Sequence, residues 1–516
     1  MIAIRALLFL MFFININLTM LFYLHMYQLN SYQTLSHFNW IKSKFVKEII
    51  FRNLWLLMPI AVCFSNNFIV LVTGTVISYI VSFVVNRKKK YKKPLVFTNR
   101  VTRLMATMGI LNLLVAVFSI NFVLGIAGTL LSLWTILLPF SIMLANLINK
   151  PVEKHINNGF IKEAKKILNG MPNLKIIGIT GSYGKTSTKY FLNKLLSTKY
   201  NVLMTPGNFN TTLGVVKTIR ENLRATHEIF LCEMGARHVG DIKEICDLVK
   251  PRFGIISSIG PQHLETFFSI ENIVNTKFEL ADSIPEDGKI FLNYQNEYIK
   301  NKKCDKNVIS YGVDVDGVTY KATDITVSSR GSKFTVLVNN ESQEFKTKLI
   351  GRHNVENILG AIAISNQLGI SLEELVYPVK TLEAVSHRLE LTKGKNATII
   401  DDAYNSNPVG AKMALETLNC FDGTKILITP GMVELGSKQD ECNKEFGENA
   451  ANICDYIVLV GKEQTKAIYE GIKSKKFPQD KIFVADSFNE GMEWIKNINS
   501  ESEKFVLIEN DLPDNY

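Results

Sequence analysis

The stretch KIIGITGSYGKTS at residues 175–187 decides the fold of the larger part of this chain. It begins as a short, mostly β-branched run and continues into a loop with two glycines. The residues that follow, KTSTKYFLNKLL at 185–196, have a helical pattern. A strand, a glycine loop and a helix in this order form the context that a phosphate-binding loop requires. The stretch therefore predicts a parallel α/β domain that binds a nucleotide.

Each residue of the loop has a physical role in this prediction. Gly181 and Gly184 let backbone N–H groups approach the phosphates. Lys185 brings a positive charge to the β- and γ-phosphates, and Thr186 offers its hydroxyl to Mg²⁺. The spacing departs from the general G-x-x-x-x-G-K-[ST] pattern because Ile179 stands where the first glycine belongs, so an ordinary strand-to-helix turn is the alternative. The other loop residues predicted to contact ATP are Ser182, Tyr183 and Ser187.

Eight further motifs follow the loop along the chain. They are TPGNFNTTLG (205–214), EMGARHVG (233–240), GPQHLE (260–265), TKFEL (276–280), GRHNVEN (351–357), RLE (388–390), DDAYNSNP (401–408) and GMVELG (431–436). Together with the loop, this series in this order resembles the Mur ligase family of bacterial cell-wall synthesis. The resemblance covers residues 175–436, and an ordered series is far more specific than any single motif.

The resemblance implies a reaction and its cofactors. Mur ligases join a carboxylate to an amine by first transferring the γ-phosphate of ATP to the carboxylate, which gives an acyl phosphate and ADP. The DDAYNSNP and GMVELG motifs are those of the member that adds D-alanyl-D-alanine. The expected partners are therefore a muramyl-peptide donor and an amino-acid or dipeptide acceptor, and the expected cofactors are ATP and two Mg²⁺ ions.

The resemblance also assigns roles to individual residues. Those implied in catalysis are Lys185, Lys277, Arg388 and Asp402. Those implied in binding ATP, beyond the loop, are Arg388 and the pair Asn354 and Asn357, which lie one helical turn apart and would face the nucleotide together. Those implied in binding the substrates are Asn208, Asn210, Thr211, Thr212, Tyr404 and Asn405. Those implied as metal ligands are Thr186, Glu233, His263 and, as a carbamate formed with CO₂, Lys277.

Three of these residues have simpler interpretations when they are considered alone. Lys277 would be an unmodified surface lysine on a helix expected from about residue 270 to residue 283. His263 would be a hydrogen-bonded histidine in a loop. Asp402 would cap the helix that starts near Pro408.

The N-terminal end of the chain predicts a membrane anchor. A helix needs about 20 apolar residues to cross the hydrocarbon core, because lipid offers no partner to a free backbone amide. Residues 6–27 (ALLFLMFFININLTMLFYLHMY) meet that length. A cleaved signal peptide is the alternative, but no small-residue cleavage site follows the run, which favours a retained span.

Two longer segments predict further spans, since neither contains Asp, Glu, Lys, Arg or His. Residues 104–149 are expected to form a helical hairpin that breaks near Gly125, and residues 53–86 a short and a full span joined by a turn at 65–67. Five spans place everything after Lys150 in the cytosol, where ATP is; three spans, or a re-entrant segment at 53–86, are the alternative. The expected location is therefore the cell membrane, with cytoplasmic catalytic domains.

The formal net charge of +10 does not indicate a nucleic-acid-binding protein. Six of the positive charges lie together at residues 87–93, directly after an apolar segment, as the positive-inside rule expects at a membrane. Membrane lipids are therefore expected partners and nucleic acid is not. The seven cysteines include no CxxC pair, so they are expected to be reduced thiols in a cytosolic context.

Three domains are predicted: transmembrane helices at 1–150, a central ATP-binding domain at 151–392 and a Rossmann-like α/β domain at 393–516. Alternating residues at 320–349 predict a β-rich insert in the central domain. In the last domain the runs ATIID, KILIT, YIVLVG, KIFVA and FVLIE predict strands between helices. That domain lacks G-x-G-x-x-G, so no dinucleotide is expected.

The chain departs from the family at both ends. Family members normally have a soluble N-terminal domain that binds the UDP part of the donor, and they usually end near a Lys-Gly-Ser element. Here apolar segments stand in place of the UDP-binding domain. The last residues, 505–516, read FVLIENDLPDNY and contain no Lys-Gly-Ser element. The sequence therefore leaves three kinds of donor open: a UDP-linked, a lipid-linked and a polymeric muramyl peptide. Two other functions compete with this one. The first is a transporter driven by a P-loop ATPase, and the lack of ionisable residues in the long apolar segments argues against it. The second is a polyglutamate-forming ligase, and the DDAYNSNP motif argues against it.

Overall fold

The computed structural model describes residues 2–62, 67–85, 93–262, 264–394, 397–404, 406–433 and 435–511. The chain divides into two compact units, one running to Asn158 and the other from Gly159 to Asp511. Several predicted features lie outside the described residues. They are His263, Asn405, most of the basic cluster at 87–93 and most of the turn at 65–67.

The first unit is built from helices, and its described residues contain no strand. The α-helices that begin in it are α1 (Ile2–Leu29), α2 (Thr34–Ser43), α3 (Met58–Val62), α4 (Phe68–Val85), α5 (Asn99–Ile120), α6 (Leu124–Ile136) and α7 (Leu138–Asn169). Between α2 and α3 the chain forms a π-helical segment, Phe45–Phe51, and a 3₁₀ turn, Leu54–Leu57.

Three described helices are long and apolar enough to cross a membrane: Phe9–Leu29 within α1, and the whole of α4 and α5. The α6–α7 pair bends by 70° between Ile136 and Leu138 and adds a fourth if the pair is one span. This is fewer than the five spans predicted. The difference arises at residues 54–62, which form only a 3₁₀ turn and the five-residue α3, too short for a span at about 1.5 Å per residue.

Buried polar side chains in the first unit bond across its helices. Asn15 on α1 donates to the carbonyl oxygen of Tyr79 on α4 (3.1 Å) and accepts from the Ser82 hydroxyl (3.0 Å). The Trp134 indole on α6 donates to Asn112 on α5 (2.8 Å). Such bonds satisfy polar groups that are cut off from water, and they specify which helices pack together.

A nine-stranded sheet organises the central part of the second unit, in the order β2-β3-β1-β4-β5-β6-β7-β8-β9. Its strands are β1 (Lys175–Thr180), β2 (Val202–Met204), β3 (Ile229–Glu233), β4 (Phe253–Ile256), β5 (Lys289–Asn293), β6 (Val308–Val313), β7 (Tyr320–Ser328), β8 (Gly331–Val338) and β9 (Glu341–Thr347). The strands from β2 to β7 pair in parallel, and β8 and β9 are antiparallel. The predicted parallel α/β architecture is confirmed.

Helices connect and cover the strands of this sheet. They are α8 (Lys185–Leu196), α9 (Thr212–Asn222), α10 (Asp241–Val249), α11 (Leu264–Phe267), α12 (Ile270–Ser283), α13 (Glu297–Lys300), α14 (Arg352–Gln367) and α15 (Leu372–Lys380). Strand β1 lies between β3 and β4, and its five residues from Ile176 to Thr180 are buried because both faces are covered. Residues that follow β1 and β3 therefore meet at one edge of the sheet.

The predicted β-rich insert is confirmed as the antiparallel strands β7, β8 and β9. Phe334 and Phe345 stack across β8 and β9 with ring centroids 5.7 Å apart, as the alternation of apolar residues requires. Strand β9 ends the sheet, and on it Glu344 forms ion pairs with Lys333 (2.7 Å) and Lys346 (3.3 Å). At the opposite end of the sheet β2 has only three residues.

A six-stranded sheet forms the last part of the second unit, in the order β10-β11-β15-β12-β13-β14. Its strands are β10 (Glu390–Lys393), β11 (Ala397–Asp402), β12 (Thr424–Thr429), β13 (Tyr456–Val460), β14 (Ile482–Ala485) and β15 (Lys504–Glu509). Its helices are α16 (Pro408–Asn419), α17 (Gln439–Ile453), α18 (Lys466–Ser474) and α19 (Phe488–Asn497). All five predicted strands form, as β11 to β15, and β10 pairs antiparallel with β11.

Candidate active site

The glycine loop joins the carboxyl end of β1 to the start of α8. Gly181 has φ +151° and Gly184 has φ +77°, conformations that side-chain-bearing residues rarely adopt. A Cβ atom on Gly181 would overlap the Ser257 hydroxyl, and one on Gly184 would overlap the Asn357 amide. Both glycines are therefore required by the shape of the loop.

The loop is bonded to the segment that follows β4. The Ser182 hydroxyl donates to the Gly260 carbonyl oxygen (3.0 Å) and accepts from the Gly260 N–H (3.1 Å). The Tyr183 N–H donates to the Ser258 hydroxyl (3.0 Å), and the Tyr183 phenol donates to the Pro261 carbonyl oxygen (3.0 Å). The glycine loop and the GPQHLE motif, far apart in sequence, are thereby brought together.

Lys185 turns back over this loop. Its ammonium donates to the carbonyl oxygens of Gly181 (2.7 Å) and Ser182 (3.0 Å). Burial lowers the pKa of Lys185 to about 8; the Glu233 carboxylate raises that pKa, and Arg388 lowers it. A half-buried cation whose described hydrogen bonds go only to carbonyl oxygens has its charge available for an anionic ligand.

Glu233, the last residue of β3, lies beside the start of α8. Its Oε1 accepts from the hydroxyl of Thr186 (3.2 Å) and from the side-chain amide of Asn210 (3.1 Å). Its Oε2 lies 2.9 Å from the Lys189 ammonium in an ion pair that is almost fully buried. The predicted residues Thr186 and Asn210 thus meet at the carboxylate of Glu233, which was also predicted. Lys189, which was not predicted, lies at the same carboxylate.

Sequence reasoning missed Lys189, although a signal was present. Leu192 and Leu196 lie three and seven residues further along α8, and both are buried. They mark the inward face of the helix, and Lys189 is on that face. A lysine at an inward helical position requires an anionic partner.

Lys277 lies on α12, whose bounds of Ile270 and Ser283 agree with the predicted helix. Its side chain is buried, with 3% exposed, so the surface-lysine alternative is wrong. Burial, and next the charge of Lys185, lower the pKa of Lys277 to about 7, against the opposing effect of Asp241 and Glu279. The structure therefore places this amine inside the protein near a second cation.

Arg388 is presented by the segment that leads into the last sheet. Its neighbours His387 (φ +59°) and Leu389 (φ +52°) both have left-handed backbone conformations. This unusual turn is fixed by two side chains of β11: the His387 ring is 2.7 Å from the Asp401 carboxylate, and the Leu389 N–H donates to Asp402 (3.2 Å). The backbone on both sides of Arg388 is therefore anchored.

Asp402 forms a carboxyl pair that the sequence did not reveal. It is the last residue of β11 and is in register with Glu509, the last residue of β15. Glu509 is fully buried and accepts from the Ser406 hydroxyl. Two carboxyls placed side by side with little access to water favour a shared proton. The Arg388 guanidinium lies over the Tyr404 ring, 4.2 Å from its centroid.

The helix-capping alternative for Asp402 is wrong. Helix α16, which begins at Pro408, is capped by Asn407, whose side chain accepts from the Gly410 N–H (2.8 Å). Asp402 is thus left for another role. Burial raises the pKa of Asp402 to about 6, and burial together with the neighbouring Asp402 raises the pKa of Glu509.

A pH-dependent stability follows from this pair. Carboxyls with raised pKa stabilise the folded protein at acid pH, and the stabilisation is lost as pH rises through their folded pKa values. Glu509→Gln removes one of the two charges, so its unfolding free energy should improve relative to the wild type by about 1 to 2 kcal/mol between pH 5 and pH 8. Urea unfolding in detergent measures this. The exposed Glu501→Gln is the control, and equal pH dependence in all three proteins would contradict the prediction.

The two asparagines of α14 are not equivalent. The Asn357 side-chain oxygen accepts from the Thr188 hydroxyl (3.3 Å) and lies against Gly184, so it faces the loop. The Asn354 amide instead donates to the Ile350 carbonyl oxygen (2.8 Å), one turn back. Of the pair, only Asn357 is placed against the loop itself.

The predicted substrate residues lie in two places. Asn210 reaches Glu233, as described above, and its carbonyl oxygen accepts from the Gly235 N–H (2.7 Å). Thr211 caps α9 by accepting from the Gly214 N–H (3.3 Å). Thr212 is the first residue of that helix, and Asn208 is exposed in the loop before it. Tyr404 lies in the segment that follows β11 of the last sheet.

The fold and the site together define a class: a P-loop nucleotide-binding domain followed by a Rossmann-like domain that brings an arginine toward the loop lysine. Residues 179–365 match the family described as the Mur ligase middle domain, and residues 387–509 match the Mur ligase glutamate ligase domain. The chain belongs to the Mur ligase family.

Curated relatives named UDP-N-acetylmuramoyl-tripeptide–D-alanyl-D-alanine ligase are similar to this chain. The Escherichia coli protein is 31% identical over 295 residues, which are 56% of this chain and 65% of that protein. The Rickettsia prowazekii protein is 30% identical over 62% of this chain and 73% of its own length. The chain thus spans slightly less than two thirds of the E. coli protein and 59% of the Bacillus subtilis one.

A solved structure has the same fold. The crystal structure of MurF from Acinetobacter baumannii superimposes with a TM-score of 0.62 and 27% identity, covering 68% of this chain and 77% of that one.

Proposed function

We propose that this protein is an ADP-forming ligase that joins D-alanyl-D-alanine, or a similar dipeptide, to a muramyl peptide. The observation that carries the proposal is the meeting of Lys185, the Thr186–Glu233 pair and buried Lys277 at one loop of a Mur ligase fold. The names of the relatives supply the substrates. Family membership also favours ligation over the transporter ATPase among the alternatives.

The residues at the loop suit Mg²⁺. The Thr186 hydroxyl and Glu233 Oε1 are hard oxygen ligands 3.2 Å apart. Adjacent oxygens around Mg²⁺ lie roughly 2.9 Å apart, given ligand distances of about 2.0–2.1 Å and octahedral geometry. The two side chains would therefore need little movement to share one ion, which would neutralise charge on the phosphates of ATP.

In the proposed reaction, a carboxylate oxygen of the donor attacks the γ-phosphorus of ATP, and ADP leaves. Lys185 stabilises the negative charge on the transferred phosphoryl group, and Arg388 adds a second cation from the last domain. The amine of the acceptor then attacks the acyl phosphate at its carbonyl carbon. Phosphate leaves, and the amine loses a proton as the amide bond forms. Asp402, with its raised pKa, is suited to receive that proton.

Lys277 is proposed to react with CO₂. Its lowered pKa leaves a fraction of the amine neutral at physiological pH, and a neutral amine adds CO₂ to give a carbamate with loss of a proton. The change replaces a buried cation near Lys185 by an anion. Such an anion would remove the repulsion between the two lysines and could support a second Mg²⁺ ion.

The first unit is proposed to anchor the enzyme in the cell membrane. Its three described helices of spanning length and composition support this location.

These helices also favour a second form of the donor, a lipid-linked muramyl peptide, since a ligase held at the membrane meets lipid-linked substrates there. A polymeric muramyl peptide is the third kind of donor that the sequence leaves open.

A panel of donors tests the proposed function. The full-length protein in detergent would be given ATP, Mg²⁺ and D-alanyl-D-alanine, with a UDP-linked, a lipid-linked or a polymeric muramyl peptide. We expect phosphate release that requires both donor and dipeptide. Release that ignores the dipeptide, or none with any donor, would refute the assignment.

Membrane topology gives a separate prediction. If α1, α4, α5 and the α6–α7 pair all cross, a reporter fused after Gly170 should be cytosolic and one fused at Asn121 external. A reporter at Lys93, in the basic segment, is the cytosolic control. A cytosolic reporter at Asn121 would show that α5 does not cross, and an external reporter after Gly170 would show that the α6–α7 pair does not cross.

A further inference from the structure

Lys189 is a fully buried lysine to which the proposed reaction assigns no role. Its ammonium forms an ion pair with Glu233 Oε2 (2.9 Å) and donates a hydrogen bond to the Gly207 carbonyl oxygen (2.7 Å). It also lies 5.2 Å from the centroid of the neighbouring Tyr190 ring. The side chain has 0% exposed area, so it cannot touch a substrate directly. Any effect on catalysis must pass through the groups that it holds.

Those groups belong to different parts of the site. Glu233 is the carboxylate that would bind Mg²⁺, and Gly207 opens the loop of residues 207–211, which contains three of the predicted substrate residues, Asn208, Asn210 and Thr211. The loop returns to the same carboxylate, because Asn210 donates to Glu233 Oε1 (3.1 Å). Lys189 and Asn210 therefore connect the two ends of the loop to the two oxygens of one side chain.

We propose that Lys189 is a positioning residue that couples occupation of the metal site to the conformation of the donor-binding loop. The inference rests on the proposed function in taking Glu233 as a Mg²⁺ ligand and the loop of residues 207–211 as part of the donor site. By holding Oε2, Lys189 leaves Oε1 and the Thr186 hydroxyl for the ion. The same ammonium holds the Gly207 carbonyl oxygen, so a shift of the carboxylate is transmitted to the loop.

Two opposite effects follow from this arrangement. An ammonium 2.9 Å from a carboxylate competes with a dication for its negative charge, so removing the ammonium should strengthen Mg²⁺ binding. Removing it also frees the Gly207 carbonyl oxygen, so the loop should lose order. A residue that merely supports the fold would weaken both properties together.

The test uses the full-length protein in detergent with ADP, with and without Mg²⁺. Calorimetry measures Mg²⁺ affinity, and hydrogen exchange measures protection of the peptide covering residues 205–212. In Lys189→Met we expect Mg²⁺ to bind about three- to tenfold more tightly while Mg²⁺-dependent protection of the loop falls about tenfold. Lys194→Met, an exposed lysine on the same helix, is the matched control and should behave as wild type.

Weaker Mg²⁺ binding, or unchanged protection of the loop, in Lys189→Met would overturn the inference. If that variant does not fold, Lys189→Arg takes its place, because it keeps the cation. Lys189→Arg should retain wild-type Mg²⁺ affinity and most of the loop protection. Loss of both properties in Lys189→Arg would equally overturn the inference. A wild-type protein that does not bind ADP with Mg²⁺ would instead refute the proposed function. The two failures are thus distinguishable.

Discussion

Lys185→Ala is expected to lower the rate of ADP formation by at least about a hundredfold without unfolding the protein. The ammonium lies over the loop that would hold the phosphates, and removing one group that stabilises transition-state charge typically costs about two to three decades in rate. Coupled detection of ADP with saturating donor and acceptor measures the effect. Because the side chain bonds only loop carbonyl oxygens in its own turn, its loss should leave the two sheets intact.

Lys194→Ala provides the comparison, since this lysine is on the same helix but exposed. It should retain full activity, and both variants should unfold at about the wild-type temperature. Near-wild-type ligation by Lys185→Ala would show that the loop does not act on the γ-phosphate. The assignment of the ATP site would then be wrong.

Lys277→Ala is expected to be inactive and to be partly rescued by a small carboxylic acid. If Lys277 is a carbamate, the substitution removes an anion that supports the metal site and leaves a cavity of similar size. Formate or acetate at millimolar concentration could occupy that cavity and restore some phosphate release. Lys277→Glu should recover less, because its shorter arm does not reach as far.

A direct readout complements the rescue. With ¹³C-labelled CO₂, the wild-type protein should show a carbamate carbon signal that is absent from Lys277→Ala and retained in Lys243→Ala, an exposed lysine on α10. A fully active Lys277→Ala would contradict the proposal. So would a wild-type protein that binds ADP and Mg²⁺ but gives no carbamate signal.

Local pattern predicted most of the second unit. The run at 175–187 indicated β1, the loop and α8, and the helix around Lys277 was predicted within its observed bounds, because hydrophobic periodicity is a local property. The five strands of the last sheet were found for the same reason. Their order was not predicted: β15 lies between β11 and β12, which depends on packing across the whole domain.

The features that escaped prediction depend on distant partners. The ion pair of Lys189 with Glu233 joins residues 44 positions apart, and Glu509 meets Asp402 only because two distant strands are in register. The burial of Lys277 is likewise a tertiary property that its own helix did not indicate clearly. In the first unit, the full span predicted within residues 53–86 is present as α4, but the short span before it is a 3₁₀ turn and a five-residue helix, because hydropathy does not show where a helix breaks.

The ends of the two sheets bear on how this protein behaves at high concentration. Unpaired strand edges recruit other chains, and proteins resist this with short or charged edge strands. Here β2, β10 and β14 have only three or four residues. On the edge strand β9, Glu344 forms ion pairs with Lys346 and with Lys333 of the neighbouring β8. Edge-to-edge aggregation of the ligase domains is therefore disfavoured. Precipitation during purification would originate in the apolar surface of the first unit, and the choice of detergent should control it.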